Sequence, residues 1–227
     1  MKKIILYLII TILNCSCKND KLNKNVVIKK EVGQTKKDDP LNLYNSEKIN
    51  SVDLLEALDF LGIQIHKFEL GKFDKKQSLI LLLEKFENGV LKNTDTLSWT
   101  DNEFYESINE NGTPNMGFID QIKLLTKTSD EKSELIAKTY KGTVAKKLVE
   151  LKKTDKNQFF LWRNYKETHW KANKKTPLMV FASSWYDERI NNHRFCGVAK
   201  LTENTEDTNE LLNNSPNYLM VSYKVFE

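Results

Sequence analysis

The apolar and polar positions alternate with a period of two from Ile63 onward, which predicts a β-rich domain. Val, Ile, Thr and aromatic residues are frequent in these segments, and Gly, Asn and Asp turn signals separate them. The pattern favours a mainly β (α+β) fold, either an antiparallel β-sheet or a sandwich-like domain of about ten strands. The predicted strands cover residues 63–70, 77–87, 90–98, 119–127, 134–140, 143–151, 158–168, 178–187, 193–200 and 218–226.

One short amphipathic helix is predicted before the first strand. Ser51 suits an N-cap and Gly62 suits the C′ position, while Leu54, Leu58 and Leu61 recur at helical spacing on one face. We therefore expect this helix to pack on a sheet. A second short helix is predicted at residues 206–212, within a polar segment that otherwise has no regular pattern.

Turn chemistry and burial add detail to this sheet. Asn88-Gly89 fits a type I′ hairpin turn, and Lys141-Gly142 and Asn191-Asn192 are further hairpin candidates. Residues 159–162 and 178–181 are apolar on both faces, as central strands covered twice would be. The last strand is predicted to turn one face to the core and one to water, and residues 101–117 are predicted to form a long loop.

The first twenty residues carry an export signal. Lys2 and Lys3 precede an apolar run over residues 4–13, which spans roughly 15 Å as a helix, about half of a ~30 Å hydrocarbon core. Such a segment is typical of a signal peptide rather than a transmembrane helix. The run ends in Asn14-Cys15-Ser16-Cys17, which resembles the lipobox of bacterial lipoproteins, although Asn14 stands where that family usually has an aliphatic residue.

The lipobox resemblance implies that residues 1–16 are removed and that Cys17 is acylated, with Cys15 as the alternative site. Lys18-Asn19-Asp20 resembles the lysine-plus-acidic export tag of Bacteroidota surface lipoproteins. The resemblance therefore implies a lipid-anchored protein of the outer membrane, exported to the surface if the tag is functional. It covers residues 1–20 only and says nothing about the domain that follows.

Composition divides the mature chain into a tether, residues 17–50, and a single β-rich domain, residues 51–227. The tether is rich in lysine and asparagine and poor in large apolar residues. The domain is nearly neutral in formal charge, and the whole chain has only three arginines, Arg163, Arg189 and Arg194. Because arginine suits phosphate and guanine contacts, a nucleic-acid partner is disfavoured.

No motif for catalysis, metal binding or a cofactor stands out. Cys196 is the one cysteine left after processing, and its spacing from His193 does not suit a strand-borne Cys-His pair. His66, His169 and His193 fall on separate predicted strands, so no metal site is predicted. Ser183-Ser184 lacks a nucleophile-elbow motif, and no catalytic residue is nominated.

Aromatic side chains are densest between residues 159 and 186. Trp162, Trp170, Trp185 and His169 could together form a stacking platform for a saccharide or peptide ligand. The alternative is that these side chains simply fill the core of a sheet. The sequence alone favours core packing but leaves both interpretations open.

These features predict a lipid-anchored envelope protein with a non-enzymatic binding or interaction domain. Its partners would be the membrane, through the lipid, and an unknown envelope protein, saccharide or peptide. An envelope hydrolase with a site around His169 and His193 is one alternative. A toxin-immunity or inhibitor lipoprotein is another.

The lipid anchor predicts that the protein incorporates labelled palmitate when it is expressed in a bacterium that processes lipoproteins. Cys17→Ser should abolish the label, because the acylated thiol is lost, whereas Cys15→Ser should retain it. Labelling combined with intact-mass analysis of membrane-extracted protein measures this. Persistent labelling of Cys17→Ser while Cys15 is intact would refute the site assignment.

Overall fold

The computed structural model describes residues 48–226, which contain fourteen strands and two short helices. The prediction of a mainly β fold with antiparallel sheets is confirmed. The predicted signal peptide, Cys15, Cys17 and all but the end of the tether lie outside the described residues. The helices are α1 (Ser51–Phe60) and α2 (Glu206–Asn214).

The strands follow the predicted alternation closely in most of the chain. They are β1 (Ile63–Glu69), β2 (Ser78–Glu87), β3 (Val90–Asp101), β4 (Glu103–Ile108), β5 (Pro114–Phe118), β6 (Gln121–Ser129), β7 (Lys132–Thr139), β8 (Gly142–Glu150), β9 (Phe160–Tyr165), β10 (Lys175–Ser183), β11 (Trp185–Asp187), β12 (Asn192–Arg194), β13 (Lys200–Leu201) and β14 (Asn217–Phe226).

Two sheets form the body of the domain. The four-stranded sheet has the order β1-β6-β7-β8, and the six-stranded sheet has the order β13-β9-β10-β14-β2-β3. Neighbouring strands are antiparallel except for β13, which pairs parallel to β9 at the edge of the six-stranded sheet. Two further hairpins, β4-β5 and β11-β12, stand outside these sheets.

The first core lies between the two sheets. It takes Leu124 and Leu135 from the four-stranded sheet and Phe181 and Val221 from the six-stranded sheet, and none of these side chains is more than 1 % exposed. Alternate residues of β14 enter this core, which confirms the predicted apolar face of the last strand. This arrangement makes the domain sandwich-like.

A second core covers the opposite face of the six-stranded sheet. Leu211 of α2, Trp185, Cys196 and Leu201 pack there against Val180 of β10. The prediction of a wet second face on the last strand is therefore wrong, because Ser222 is fully buried. Of the two segments predicted to be covered on both faces, 178–181 is confirmed, since Thr176 to Ser183 of β10 are all buried. Residues 159–162 are covered only in part, because Phe159 is 39 % exposed just before β9.

Three predicted elements differ from the structure. The expected loop at residues 101–117 contains the β4-β5 hairpin, where Gly117 makes room for the Phe104 ring; a Cβ at Gly117 would lie 2.6 Å from Phe104 Cζ. The strand predicted at 178–187 is interrupted at Ser184. The one predicted at 193–200 is reduced to β12 and the start of β13, with an irregular segment between them.

Helix α1 forms where it was predicted, but its surroundings differ. Asn50 rather than Ser51 is the N-cap, and it forms a capping box with Asp53. Phe60 is 91 % exposed, and Leu54, Leu55 and Leu61 are each more than half exposed. The expectation that this apolar face packs on a sheet is wrong, because no residue of α1 is buried and no element within residues 48–226 covers Leu54 or Phe60.

The predicted Asn88-Gly89 turn is confirmed, and the other two hairpins form with turns that end one residue before Gly142 and Asn192. Asn88 and Gly89 have φ values of 49° and 74°, as a type I′ turn requires, and they join β2 to β3. Gly142 follows the turn between β7 and β8, and Asn191 precedes β12.

Substitution of Phe181 should destabilise the protein more than substitution of Phe60, because Phe181 is fully buried between the sheets whereas Phe60 is exposed. Phe181→Ala is expected to lower the free energy of unfolding by about 3–5 kcal/mol. Phe60→Ala should change it by less than about 0.5 kcal/mol. Urea unfolding of both variants measures the difference, and equal losses would contradict the placement of the core.

Candidate functional site

Two of the four predicted platform residues lie inside the cores. The Trp162 ring stacks on Phe181 with 4.8 Å between ring centroids, and its Nε1 donates to Ser133 Oγ at 3.0 Å. Trp185 belongs to the second core, on the opposite face of the six-stranded sheet, where the Arg194 guanidinium lies 5.4 Å from its ring centroid.

The other two platform residues follow β9. Trp170 is half-buried and stacks on Phe73, with 5.1 Å between ring centroids, and its Nε1 donates to the Lys72 carbonyl at 3.0 Å. His169 lines a groove beside it. The four residues are thus divided between two faces and do not form one continuous surface. Trp99 of β3, which no sequence pattern marked as a site residue, is 70 % exposed.

His193 lies between a serine hydroxyl and a carboxylate, the two groups that a histidine-dependent hydrolase would place beside it. Its Nδ1 is 3.5 Å from Ser184 Oγ, and its Nε2 is 3.2 Å from Asp155 Oδ1. The arrangement superficially matches a serine, histidine and carboxylate triad. Hydrolysis would additionally require a serine hydroxyl that a substrate can reach.

Ser184 does not meet that requirement, because it is fully buried. Its Oγ also accepts a hydrogen bond from the Phe159 backbone N–H at 3.0 Å. None of the main cavities in residues 48–226 is lined by Ser184, His193 or Asp155. The contacts among Ser184, His193 and Asp155 are therefore structural, and they hold the segment before β9 against the β11-β12 hairpin. Cys196, whose spacing from His193 already disfavoured a catalytic pair, is buried, and burial raises the pKa of its thiol.

The three arginines are engaged in structural contacts near the second core. Arg189 and Arg194 both donate to Asp187, and Arg194 also donates to Glu210 of α2 at 2.6 Å. The hydrogen bond from Arg189 holds the pKa of Asp187 well below its usual range. Arg163 donates to the Val198 carbonyl and lies over the Phe195 ring.

A groove of about 610 Å³ lies between the edges of the two sheets, and we call it the edge groove. One wall is the end of β1. The other is formed by the end of β9, the following residues to Lys174, and the residues at β13. Its lining residues are Lys67, Phe68, Glu69, Asn164, Tyr165, Lys166, Glu167, Thr168, His169, Lys171, Lys174, Thr176, Lys200 and Glu203.

Hydrogen bonds from side-chain hydroxyls to backbone carbonyls hold the walls of the edge groove in place. Thr168 Oγ1 donates to the Glu69 carbonyl at 2.7 Å, and Tyr223 Oη donates to the Thr168 carbonyl at 2.6 Å. Gly71 has a φ of 92°, and a Cβ there would lie 3.4–3.6 Å from Trp170 and His169. The groove is therefore built on a rigid segment that joins both sheets.

The chemistry of the edge groove is cationic and polar. Its lining has five lysines and three glutamates, a net charge of +2 from these residues. Asn164 Oδ1 is buried and has no hydrogen-bond partner among the described residues. A buried acceptor without a donor costs free energy, but this oxygen has no surface open to a ligand. The groove thus suits a ligand that carries negative charge for the lysines and hydrogen-bond donors for the glutamates.

Sequence reasoning missed this groove, with the exception of His169. Its lysines come from β1, from the segment after β9 and from β13, and only the parallel pairing of β13 with β9 brings Lys200 opposite Asn164. The one signal in the sequence was the density of lysines at residues 166, 171 and 174. No group of three or more His, Cys, Asp or Glu side chains within residues 48–226 is arranged to hold a metal ion.

The fold and the groove define a class: a sandwich-like β domain with one additional covering layer and a polar edge groove. The chain belongs to the family of domains of unknown function DUF5041, whose model matches residues 34–227. The match begins inside the predicted tether. Neither a curated protein nor a solved structure matches this chain. Within residues 48–226, neither helix has the length and apolarity needed to span a membrane.

His66 lies one residue before the groove-lining segment, on the inner side of β1. Its ring stacks on Phe68, with centroids 6.4 Å apart, and its Nε2 is 3.4 Å from Thr126 Oγ1. Desolvation by burial lowers the pKa of His66 to about 4. The imidazole is therefore neutral in the folded protein under conditions where an exposed histidine is charged.

This pKa predicts a pH-dependent loss of stability. The folded state resists protonation of His66 that the unfolded chain accepts below about pH 6.5, so stability is complete above that pH and falls toward pH 4. Between pH 7 and pH 5 the loss should be about 2 kcal/mol. Urea unfolding at both pH values measures it, with His66→Gln as the control. The same pH dependence in His66→Gln would contradict this origin.

Proposed function

We propose that this protein is a lipid-anchored envelope lipoprotein whose domain binds an acidic, hydroxylated ligand without transforming it. A charged saccharide fits that description best. The observation that carries the ligand class is the edge groove, whose lining combines five lysines with three glutamates. The lipid anchor is supported by the lipobox resemblance at Cys17.

The lysines of the edge groove are available to a ligand. Lys67, Lys166, Lys171, Lys174 and Lys200 have no carboxylate within ion-pair distance in the described part of the chain, whereas Lys175 is bound to the buried Glu84 at 2.6 Å. Hydrogen bonds between ammonium groups and carboxylates are stronger than those between neutral groups. An acidic sugar would supply a carboxylate to these lysines and hydroxyl donors to the glutamates of the groove.

Binding without catalysis is favoured by the state of the reactive groups. Ser184 and Cys196 are buried away from the groove, and His169 has no carboxylate hydrogen-bonded to its ring among residues 48–226. A general base needs such an orienting partner as well as a substrate within reach. The proposed activity therefore requires no cofactor.

Titration calorimetry with an oligogalacturonate tests the proposal, with a neutral oligosaccharide of the same length as the control ligand. We expect binding of the acidic ligand only. The double variant Lys166→Gln, Lys171→Gln should weaken it at least about tenfold, because charge-assisted hydrogen bonds are lost. The matched double variant Lys92→Gln, Lys152→Gln changes the net charge equally, away from the groove, and should bind normally. Equal affinity for both saccharides, or no binding of either, would reject the acidic-saccharide ligand.

A further inference from the structure

The outer face of the four-stranded sheet carries three lysines side by side. Lys67 of β1 pairs in register with Lys123 of β6, which pairs in register with Lys138 of β7. All three side chains are exposed, and they point away from the core because Phe68, Leu124 and Ala137 point into it. We call these residues the lysine row.

The lysine row is electrostatically unfavourable for the isolated domain. Like charges directly opposite each other on neighbouring strands destabilise a sheet, and the strands are only about 4.8 Å apart. No carboxylate in residues 48–226 lies within ion-pair distance of any of the three. Elsewhere on this sheet lysines do pair, as Lys146 does with Glu134 at 2.6 Å and Lys132 does with Glu150 at 3.7 Å.

An apolar row lies directly beside the lysine row. Ile65, Leu125 and Ile136 pair in register on the same three strands, two residues along from the lysines. Ile65 is 49 % exposed, and Leu125 and Ile136 are half-buried. Tyr140 is 75 % exposed, and together with Ile65 and Leu125 it lines a shallow cavity of about 600 Å³.

We propose that this face docks on an anionic membrane surface, with the lysines at the phosphates and the apolar row and Tyr140 at the headgroup boundary. Lysine stems cover apolar surface while their ammonium groups reach anions, and tyrosine favours an interface that is apolar on one side and wet on the other. A soluble acidic saccharide would use the lysines but would leave the exposed aliphatic row without a partner. The combination therefore favours a lipid surface.

The course of the chain supports this occupant. The described residues begin at 48, and α1 leads through Gly62 into β1, the strand that contributes Ile65 and Lys67. The proposed face thus includes the first strand after the predicted tether. This inference rests on the proposed lipid anchor for the identity of the membrane. The affinity of the face for anionic lipid can nevertheless be measured with protein that lacks the acyl chain.

Vesicle co-sedimentation tests the docking with the unacylated chain from Lys18 onward, which contains every described residue. The vesicles are phosphatidylcholine alone, or phosphatidylcholine mixed with phosphatidylglycerol. We expect binding to the mixed vesicles only, weakened by high salt. The variant Lys123→Gln, Lys138→Gln leaves the edge groove intact and should bind roughly 30-fold more weakly.

The control variant Lys92→Gln, Lys152→Gln should sediment like the wild-type chain, and circular dichroism should show the same fold for all three proteins. Equal binding by both variants, or no binding to mixed vesicles, would overturn the docking surface. The proposal would also be overturned if the Lys123→Gln, Lys138→Gln variant bound a soluble acidic polysaccharide more weakly than the wild-type chain does but bound the vesicles equally well. Palmitate labelling of Cys17 tests the lipid anchor separately. The proposed docking surface can therefore fail while the proposed anchor holds, and the reverse.

Discussion

The structure depends on strand β10, which is buried on both faces. Its residues Thr176 to Ser183 are all buried, so the strand is stable only if two separate layers cover it. The four-stranded sheet supplies one layer. Helix α2 and the β11-β12 hairpin contribute to the other through Leu211 and Trp185, which are buried in the second core.

This constraint also determines where polar side chains can function. Because both faces of β10 are covered, Phe181 and its stacking partner Trp162 serve as core, and charge buried in this sheet must be neutralised locally. Glu84 shows how this is done: it is 3 % exposed, binds Lys175 Nζ through both carboxylate oxygens and accepts from Ser222 Oγ. The two proposed ligand surfaces lie between the edges of the two sheets and on the outer face of the four-stranded sheet.

The sequence predicted the local structure better than the placement of the site. Period-two alternation is a property of each strand alone, so the strands, the Asn88-Gly89 turn and the apolar face of β14 could be predicted. The partners of each strand depend on packing between distant segments. Lys67, Lys123 and Lys138 each look like ordinary solvated lysines in sequence, and only the strand register makes them neighbours.

The two wrong predictions of burial have a related cause. The periodicity of α1 shows that it has an apolar face, but not that another element is available to cover Leu54 and Phe60. Conversely, the polar residues Ser222 and Lys224 indicated a wet face on β14, yet Ser222 is buried because its hydroxyl has the Glu84 carboxylate as a partner. The type of a side chain indicates only whether it is usually buried or exposed. A polar side chain can still be buried when it has a specific hydrogen-bond partner.

Lys67 connects the two proposed binding surfaces. It lines both the edge groove and the cavity beside the lysine row, since β1 is the edge strand between them. An anion bound on either side would reduce the positive potential on the other, because unit charges within a Debye length of about 8 Å still interact at physiological salt. Linkage requires this effect to be reciprocal: a domain docked on anionic lipid would hold an acidic ligand less tightly, and a filled groove would loosen the docking. The proximity of the two sites therefore makes the edge strand, rather than either cavity alone, the element on which both proposed functions depend.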